Sequence, residues 1–317
     1  MRRGFFAPAK ICVRCPTVAQ FSVMIDIRPI TSLEEMRAAE DVQRETWQMS
    51  DDELMSAHSL HALAFNGAAL IGAYDNGRLV GLVLGTLATI PNPQRPDQPA
   101  AERLKMYSVM AGVLPAYQGQ GIGRRLKLAQ REFALQMGIP LITWTFDPLE
   151  SRNGRLNIAR LGATCHTYLR HFHGDMGGIN AGLPTDRFDV DWWIGSRRVE
   201  ERARDEARPL ALTTLLQRGA TILNPAAFDA RGLPVPTDAA PQLPRSDLPF
   251  CLVKIPAAFQ AIKTPDFALA QTWRRHTRQL FETLFTAGCT VTEFFHKQEE
   301  NGRARSYYLL QTNHQGG

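Results

Sequence analysis

The sequence has no apolar run approaching the ~18 residues that a membrane-spanning helix needs, so no membrane partner is expected. It also has no cysteine framework. Five cysteines, at positions 12, 15, 165, 251 and 289, are an odd number without regular spacing, which points to a reducing compartment and a cytoplasmic location. Cys12-Val13-Arg14-Cys15 is half of a zinc pattern whose second half is missing. His58 and His61 stand three apart on a helical stretch with no further ligands near them, so no metal is expected. Basic residues are not clustered among aromatics. The net charge of +5 is spread along the chain, which suits weak attraction to anionic ligands and argues against nucleic acid as a partner.

What remains is an ordinary globular composition. The 317 residues are 44% apolar and 21% charged, enough for one large domain or two modest ones. Residues 1–23 have a basic start, no long apolar core and no small-residue cleavage site; they read as a disordered or non-native extension ahead of Met24. From there the pattern predicts a strand at 25–30 and a helix capped by Thr31 and Ser32 that runs to Trp47. A second helix follows over 50–65, capped by Ser50. Two strands over 68–90 surround Asp75-Asn76-Gly77, a hairpin signal. Further strands are expected at 103–115 and 140–148, with a helix between them that Gly138 and Pro140 stop. A short helix near 152–161 and strand-like runs through 188–194 complete this part. A crossover helix between strands makes those strands parallel, so the fold class is α/β with a mixed sheet.

The stretch "VLPAYQGQGIGRRL", residues 113–126, carries the chemistry. Glycines at 119, 121 and 123 sit at the mouth of the crossover helix. A helix start exposes unpaired N–H groups at the positive end of the dipole, and glycine lets an anion approach them. Arg124 and Arg125 add charge, or form a solvated helix face. A P-loop would need Gly-Lys-Ser/Thr, which Gly123-Arg124-Arg125 does not supply. A dinucleotide fingerprint would sit near the first strand, about eighty residues earlier. The remaining design is Gln/Arg-x-x-Gly-x-Gly/Ala between strand and helix, which Gln118 to Gly123 satisfies.

With this motif, the order of elements and "NIARLGA" at 157–163, residues 24–196 resemble the GNAT acyltransferase superfamily. The resemblance implies a mixed sheet whose central parallel strands, 103–113 and 140–147, splay to hold an acyl-coenzyme A. Backbone amides of Gln118, Gly119, Gln120, Gly121, Ile122, Gly123 and Arg124 would hold the pyrophosphate. The main chain of Val113 would meet the pantetheine arm or thioester. Asn153 and Asn157 would hold that arm or cap the late helix. Many members place a tyrosine four residues before the late-helix glycine, where this sequence has Ile158; Tyr168, then His166 and His171, are the nearest substitutes as general acid. "MYSVMAGV" offers no carboxylate, so Asp147 is the candidate base or ammonium anchor, with a turn cap before Pro148 as its alternative. Arg152 and Arg155 would neutralise an acidic group or lie on the surface.

Residues 197–317 form a smaller C-terminal α/β region. A charge-dense helical connector spans 197–209, a Pro/Asp/Ala-rich loop 224–248, and strands and a long helix follow. "IPAAFQ" at 255–260 echoes "LPAYQ" at 114–118, and 279–295 echoes 131–146. The tail therefore reads as a degenerate GNAT-like half or as a coincidental second βαβ unit.

The function so implied is transfer of an acyl group, acetyl first, from acyl-coenzyme A to the amine of a small molecule or amino acid. A homodimer is compatible with it. The stretch 144–157 and the tail also resemble GNAT proteins associated with N-succinylation, which keeps succinyl-CoA as an alternative donor. A non-catalytic acyl-CoA-binding module is the other alternative, because of Ile158. Deleting residues 1–23 is expected to leave melting temperature and activity unchanged; a large fall in melting temperature would show that the segment packs.

Overall fold

A computed structural model describes residues 24–92, 94–95, 97–175, 177, 182–237, 250–298 and 303–312. The expected 1–23 extension lies outside the described residues. Strand β1 (Ile25–Pro29) leads into α1 (Leu33–Trp47). Ser32 opens α1 with a reciprocal cap: its hydroxyl accepts the Glu35 N–H at 3.2 Å and the Glu35 carboxylate accepts the Ser32 N–H at 3.1 Å. Met36, Ala39, Val42 and Gln43 form the buried stripe of α1. Helix α2 (Ala57–Phe65) starts later than expected. Ser50 does not cap it; its N–H binds Glu53 in a separate turn, and Ser56 caps the helix by accepting the Ser59 N–H.

Strands β2 (Ala69–Asp75) and β3 (Arg78–Thr89) form the expected hairpin. Its turn residues Asn76 and Gly77 have φ of 47° and 86°, the conformation that Asn-Gly supplies at least cost. Then come β4 (Leu104–Val113), α3 (Ile122–Gln136) and β5 (Leu141–Phe146). Helix α4 (Ser151–Gly154) runs directly into a π-helical turn (Arg155–Arg160), followed by β6 (Thr164–Leu169) and β7 (Arg187–Trp193).

The tail opens with α5 (Arg197–Ala203), shorter than the charge run that suggested it, and α6 (Leu212–Gln217). Short strands β8 (Thr221–Ile222), β9 (Ala226–Phe228) and β10 (Pro234–Pro236) follow. Then come β11 (Phe250–Ile255), α7 (Gln260–Lys263), the long α8 (Phe267–Thr286), β12 (Cys289–Gln298) and β13 (Ala304–Thr312).

Eleven strands make one mixed sheet in the order β1-β2-β3-β4-β5-β7-β6-β12-β13-β11-β8, and β9 with β10 makes a separate pair. The fold class is α/β with parallel central strands, as the spacing of the crossover helix requires. β4 pairs with β3 along its whole length, with Val109 as an extra bulged residue between Ser108 and Met110. Its pairing with β5 stops after Met106–Ile142 and Tyr107–Thr143, so the two strands diverge from there. The buried apolar residues divide at the same place. One cluster joins β1–β3 with α1, α2 and the start of α3; the other joins β5–β7 with α8 and the tail strands. In the tail, the strands flanking α8 are separated by β13, whereas those flanking α3 are direct neighbours. No helix among the described residues is long and apolar enough to cross a membrane.

The tail joins the sheet through one residue pair, Val291–Cys165. Arg202 of α5 strengthens the join. Arg202 donates to Glu293 at 2.6 Å with both side chains under 10% exposed, and its Nε donates to the Ala159 carbonyl. Arg202→Met leaves a buried carboxylate without its partner and is expected to cost about 3–5 kcal/mol in urea unfolding. Arg202→Met with Glu293→Leu should recover most of that loss; an unchanged midpoint in the single variant would show that the pair contributes nothing.

Candidate active site

The gap between β4 and β5 is edged by main-chain polar groups. The Leu114 N–H donates to the Val80 carbonyl across the β3 edge at 2.9 Å. Antiparallel pairing alternates, so the N–H and C=O of Val113 and Ala111 point the other way, toward the gap. The Gln118 amide spans the mouth: its Nε2 donates to the Val113 carbonyl at 3.0 Å, and its Oε1 accepts from Arg152 at the start of α4.

Above that mouth lies the glycine bend. Gly119 and Gly121 have φ of 82° and 80°, and a Cβ at either would enter open space, so the backbone is bare toward solvent. Gly121 is the N-cap of α3 and supplies no side-chain acceptor. Among the described residues no acceptor is found for the N–H groups of Gly119, Gln120, Gly121, Ile122, Gly123 and Arg124; the ladder resumes with the Arg125 N–H on the Gly121 carbonyl. The Ile122 side chain is buried, leaving only its main chain on the surface of the bend. At Gly123 a Cβ would make an ordinary contact, 3.7 Å from Leu156 of the π-helical turn. Six unpaired N–H groups at a helix start, with no acidic residue in the first turn, fit a pyrophosphate.

The arginine side chains do something else. Arg124 donates to the carbonyls of Arg202 and Ala203 and to Asp205, at the C-terminal end of α5. Arg125 donates to the Ile25 carbonyl of β1 at 2.7 Å. Both guanidiniums are tethers between elements rather than a free cationic rim or a solvated face.

Asn153 is half-buried at the start of α4, and Asn157 is buried within the π-helical turn. Ile158 is fully buried in the core. A π-turn widens the helix by one residue, a device found where helices serve a site.

Asp147 and Tyr168 lie elsewhere. Asp147, just past β5, is buried and gripped by both terminal nitrogens of Arg274 from α8; it also accepts the Leu149 N–H at 2.8 Å. Tyr168 sits on β6, two strands beyond β5 in the sheet. Its O–H donates to Asp186 at 2.8 Å, Phe281 stacks on its ring, and burial pushes the phenol well up from its ordinary range. Asp186 in turn accepts from Nε and one terminal nitrogen of Arg278 from α8. His166 lies 3.6 Å from Asp191, and His171 lies 3.6 Å from Asp175.

Sequence reasoning passed over a second polar surface. Ile142, Trp144 and Phe146 of β5, and Trp192, Val190 and Phe188 of β7, face α3 and the tail. The intervening residues, Thr143 and Thr145 with Asp191 and Asp189, therefore face the α1/α2 side. Tyr107, the last residue of β4 paired with β5, lies on that side too. Burial raises the pKa of both Asp189 and Asp191; it also raises Tyr107, while Thr145 bonds the phenol and opposes the shift. Their signal was the alternation in "RFDVDWW", where every second residue is polar.

Residues 32–156 match the family model described as acetyltransferase (GNAT) family. Over that span the chain is similar to the GNAT acetyltransferase family. Solved structures similar to it include the ribosomal-protein-S18-alanine N-acetyltransferase of Escherichia coli (14% identity, TM-score 0.41, covering 55% of this chain and 96% of that one). Arabidopsis thaliana NAA60 in complex with a bisubstrate analogue gives 18%, 0.43, 54% and 99%. The PaiA N-acetyltransferase of Thermoplasma acidophilum with coenzyme A gives 18%, 0.36, 53% and 97%. No curated protein matches the chain.

Within the matched residues, Gly121→Val would set a branched side chain over the unpaired N–H groups. Calorimetry is expected to show coenzyme A affinity reduced by about tenfold or more. Gly67 has φ of 88° and equally open surroundings, far from the bend, so Gly67→Val serves as the comparison. Both variants should lose about 1–2 kcal/mol of stability from the positive φ. Equal affinity in the two would remove the bend from the binding site.

Proposed function

We propose that the chain is a coenzyme-A-dependent N-acyltransferase, with acetyl as the acyl group and a small amine or amino acid as acceptor. The observation that carries this reading is the bare glycine bend standing over a gap that opens after two residue pairs. The N–H groups of residues 119–124 hold the pyrophosphate, and the main chain of Val113 and Ala111 receives the pantetheine arm as a missing strand would. Asn153 and Asn157, on the helix beside the bend, line its path. The thioester then lies where β4 and β5 part.

The amine approaches from the α1/α2 side. Acyl transfer needs that amine unprotonated at the moment of attack. Asp189 and Asp191 attract the ammonium form, and Asp189, which interacts with Tyr107 at the parting point, takes its proton. Burial holds both carboxylates above their ordinary range, closer to the pH at which a base works well. In this reading Asp147 and Tyr168 are anchors. Through Arg274 and Arg278 they fix α8 over the ends of β5 and β6, and residues 197–317 form a structural annex to the GNAT domain at 24–196.

The test is release of free thiol from acetyl-CoA, with succinyl-CoA in parallel, over a panel of amines. Asp189→Asn is expected to lower kcat/KM by about 10²–10⁴-fold while calorimetric affinity for coenzyme A stays unchanged. The base must be ionised, so kcat/KM should fall as pH drops through the raised pKa of Asp189. That acid limb should lie above the ordinary aspartate range and vanish in the asparagine variant. A silent Asp189→Asn would move the base elsewhere; binding without turnover over the whole panel would favour a non-catalytic module.

A further inference from the structure

A side chain bars the mouth of the gap. Gln118 bridges the two strands that part: its Nε2 donates to the Val113 carbonyl at the end of β4, and its Oε1 accepts from Arg152 on α4, the helix that follows β5. The backbone beneath it is fixed. The Gln118 N–H donates to the Pro115 carbonyl at 3.2 Å, and the neighbouring Tyr117 O–H donates to Asp75 at 2.7 Å. The glutamine side chain has no such anchor of its own. Gln118 is half-buried and Arg152 is exposed, so each can turn toward water and leave no buried charge behind.

The bar stands where a ligand must enter. Gly119, whose N–H opens the unpaired run, is the next residue, so the glutamine is hinged directly at the bend. An arm running from a pyrophosphate at residues 119–124 into the gap meets Val113 first and the exposed Ala111 next. In a strand-like pairing the Val113 carbonyl accepts an amide N–H from that arm. In the free chain the same carbonyl already holds an amide N–H, that of Gln118. The glutamine amide and the amides of a pantetheine arm are alike in offering a donor and an acceptor on one plane. Gln118 thus fills, from within the chain, the place that the arm needs.

We propose that Gln118, steadied by Arg152, is a latch that stands in for the pantetheine arm in the free chain and yields to it on binding. The proposal rests on the acyl-CoA reading above and adds to it a competition within the chain. Only the swung-out glutamine admits the arm, so the observed affinity is the intrinsic one multiplied by the fraction of chains with the latch open. Side-chain rotamers exchange within nanoseconds, so the latch weakens binding without making it slow. The net worth of about one hydrogen bond holds it shut, which sets the effect at about threefold to tenfold. A pyrophosphate reaches the N–H groups of residues 119–124 with the latch open or shut, because none of them is engaged by Gln118 or Arg152. The effect therefore belongs to the arm and not to the anion.

The experiment measures the calorimetric affinity of the full chain for coenzyme A and for adenosine diphosphate, which carries a pyrophosphate without the arm. Gln118→Ala is expected to bind coenzyme A about threefold to tenfold more tightly than the wild type, with unchanged affinity for adenosine diphosphate. Arg152→Met should shift coenzyme A affinity in the same direction and by no more than that. The double variant should match Gln118→Ala alone, since Arg152 acts through the glutamine. Circular dichroism should be the same in all of them. Coenzyme A affinity in Gln118→Ala at or below that of the wild type overturns the proposal and makes Gln118 a bystander or a direct ligand contact, while the acyl-CoA reading stands. An equal gain for both probes also overturns it, because the effect would then lie at the bend. Failure of the wild-type chain to bind coenzyme A overturns both.

Discussion

Two parallel strands that pair for two residues and then separate set the conditions for the rest of the domain. Parallel strands are normally buried on both faces with their ladders complete, because an unpaired main-chain group inside a protein is costly. β4 leaves the N–H and C=O of Ala111 and Val113 facing a gap, and the structure supports that gap from every side. The bulge at Val109 turns the strand, Gln118 bonds the exposed Val113 carbonyl, and α3 crosses behind with Lys127 at the apex. The core divides into two apolar clusters at the same line. A ligand that can satisfy the main chain along the gap also completes the sheet, which couples binding to the cohesion of the domain.

The residues forming the bend were legible in the sequence because their conformation is demanding. Positive φ at residues 119 and 121 admits few residues besides glycine, and the strand and helix on either side show their own periods. The hairpin at Asn76-Gly77 was legible for the same reason. The start of α2 was not, since Ser50 and Ser56 are both good caps and local sequence does not say which will find a free N–H. Asp147 and Tyr168 stood out as polar groups beside the expected site. Asp147 is held by Arg274, and Tyr168 through Asp186 by Arg278; both arginines lie on α8, more than a hundred residues further along the chain than Asp147 and Tyr168, and no local rule connects them. Asp189 and Asp191 were hidden by their neighbours: Phe188, Val190 and Trp192 made the segment read as packing, although alternation already implied a second, polar face.

The arginines show how charge near a motif can serve architecture. Arg124 and Arg125 follow the glycines at the positions where cations would help an anion, and each spends its guanidinium on main-chain carbonyls of a distant element. In the proposed reading, attraction for the pyrophosphate then falls to the helix dipole and the main-chain N–H groups themselves. The positions of α5 and β1 are thereby tied to that of α3, so the helix that presents the bend is held at both flanks.

The single residue pair between β6 and β12 gives the sheet an uneven mechanical character. Every other neighbouring pair of strands shares at least two rungs; here continuity depends on side chains, chiefly the arginines of α5 and α8 and the rings packed around Phe281. Side-chain contacts can break and reform without unravelling a ladder, so this seam is where a sub-global opening would begin. Residues on the two sides would then exchange their amide hydrogens as separate cooperative blocks. The fold would behave as two leaves bound along one edge, with the parted strands β4 and β5 inside the first leaf.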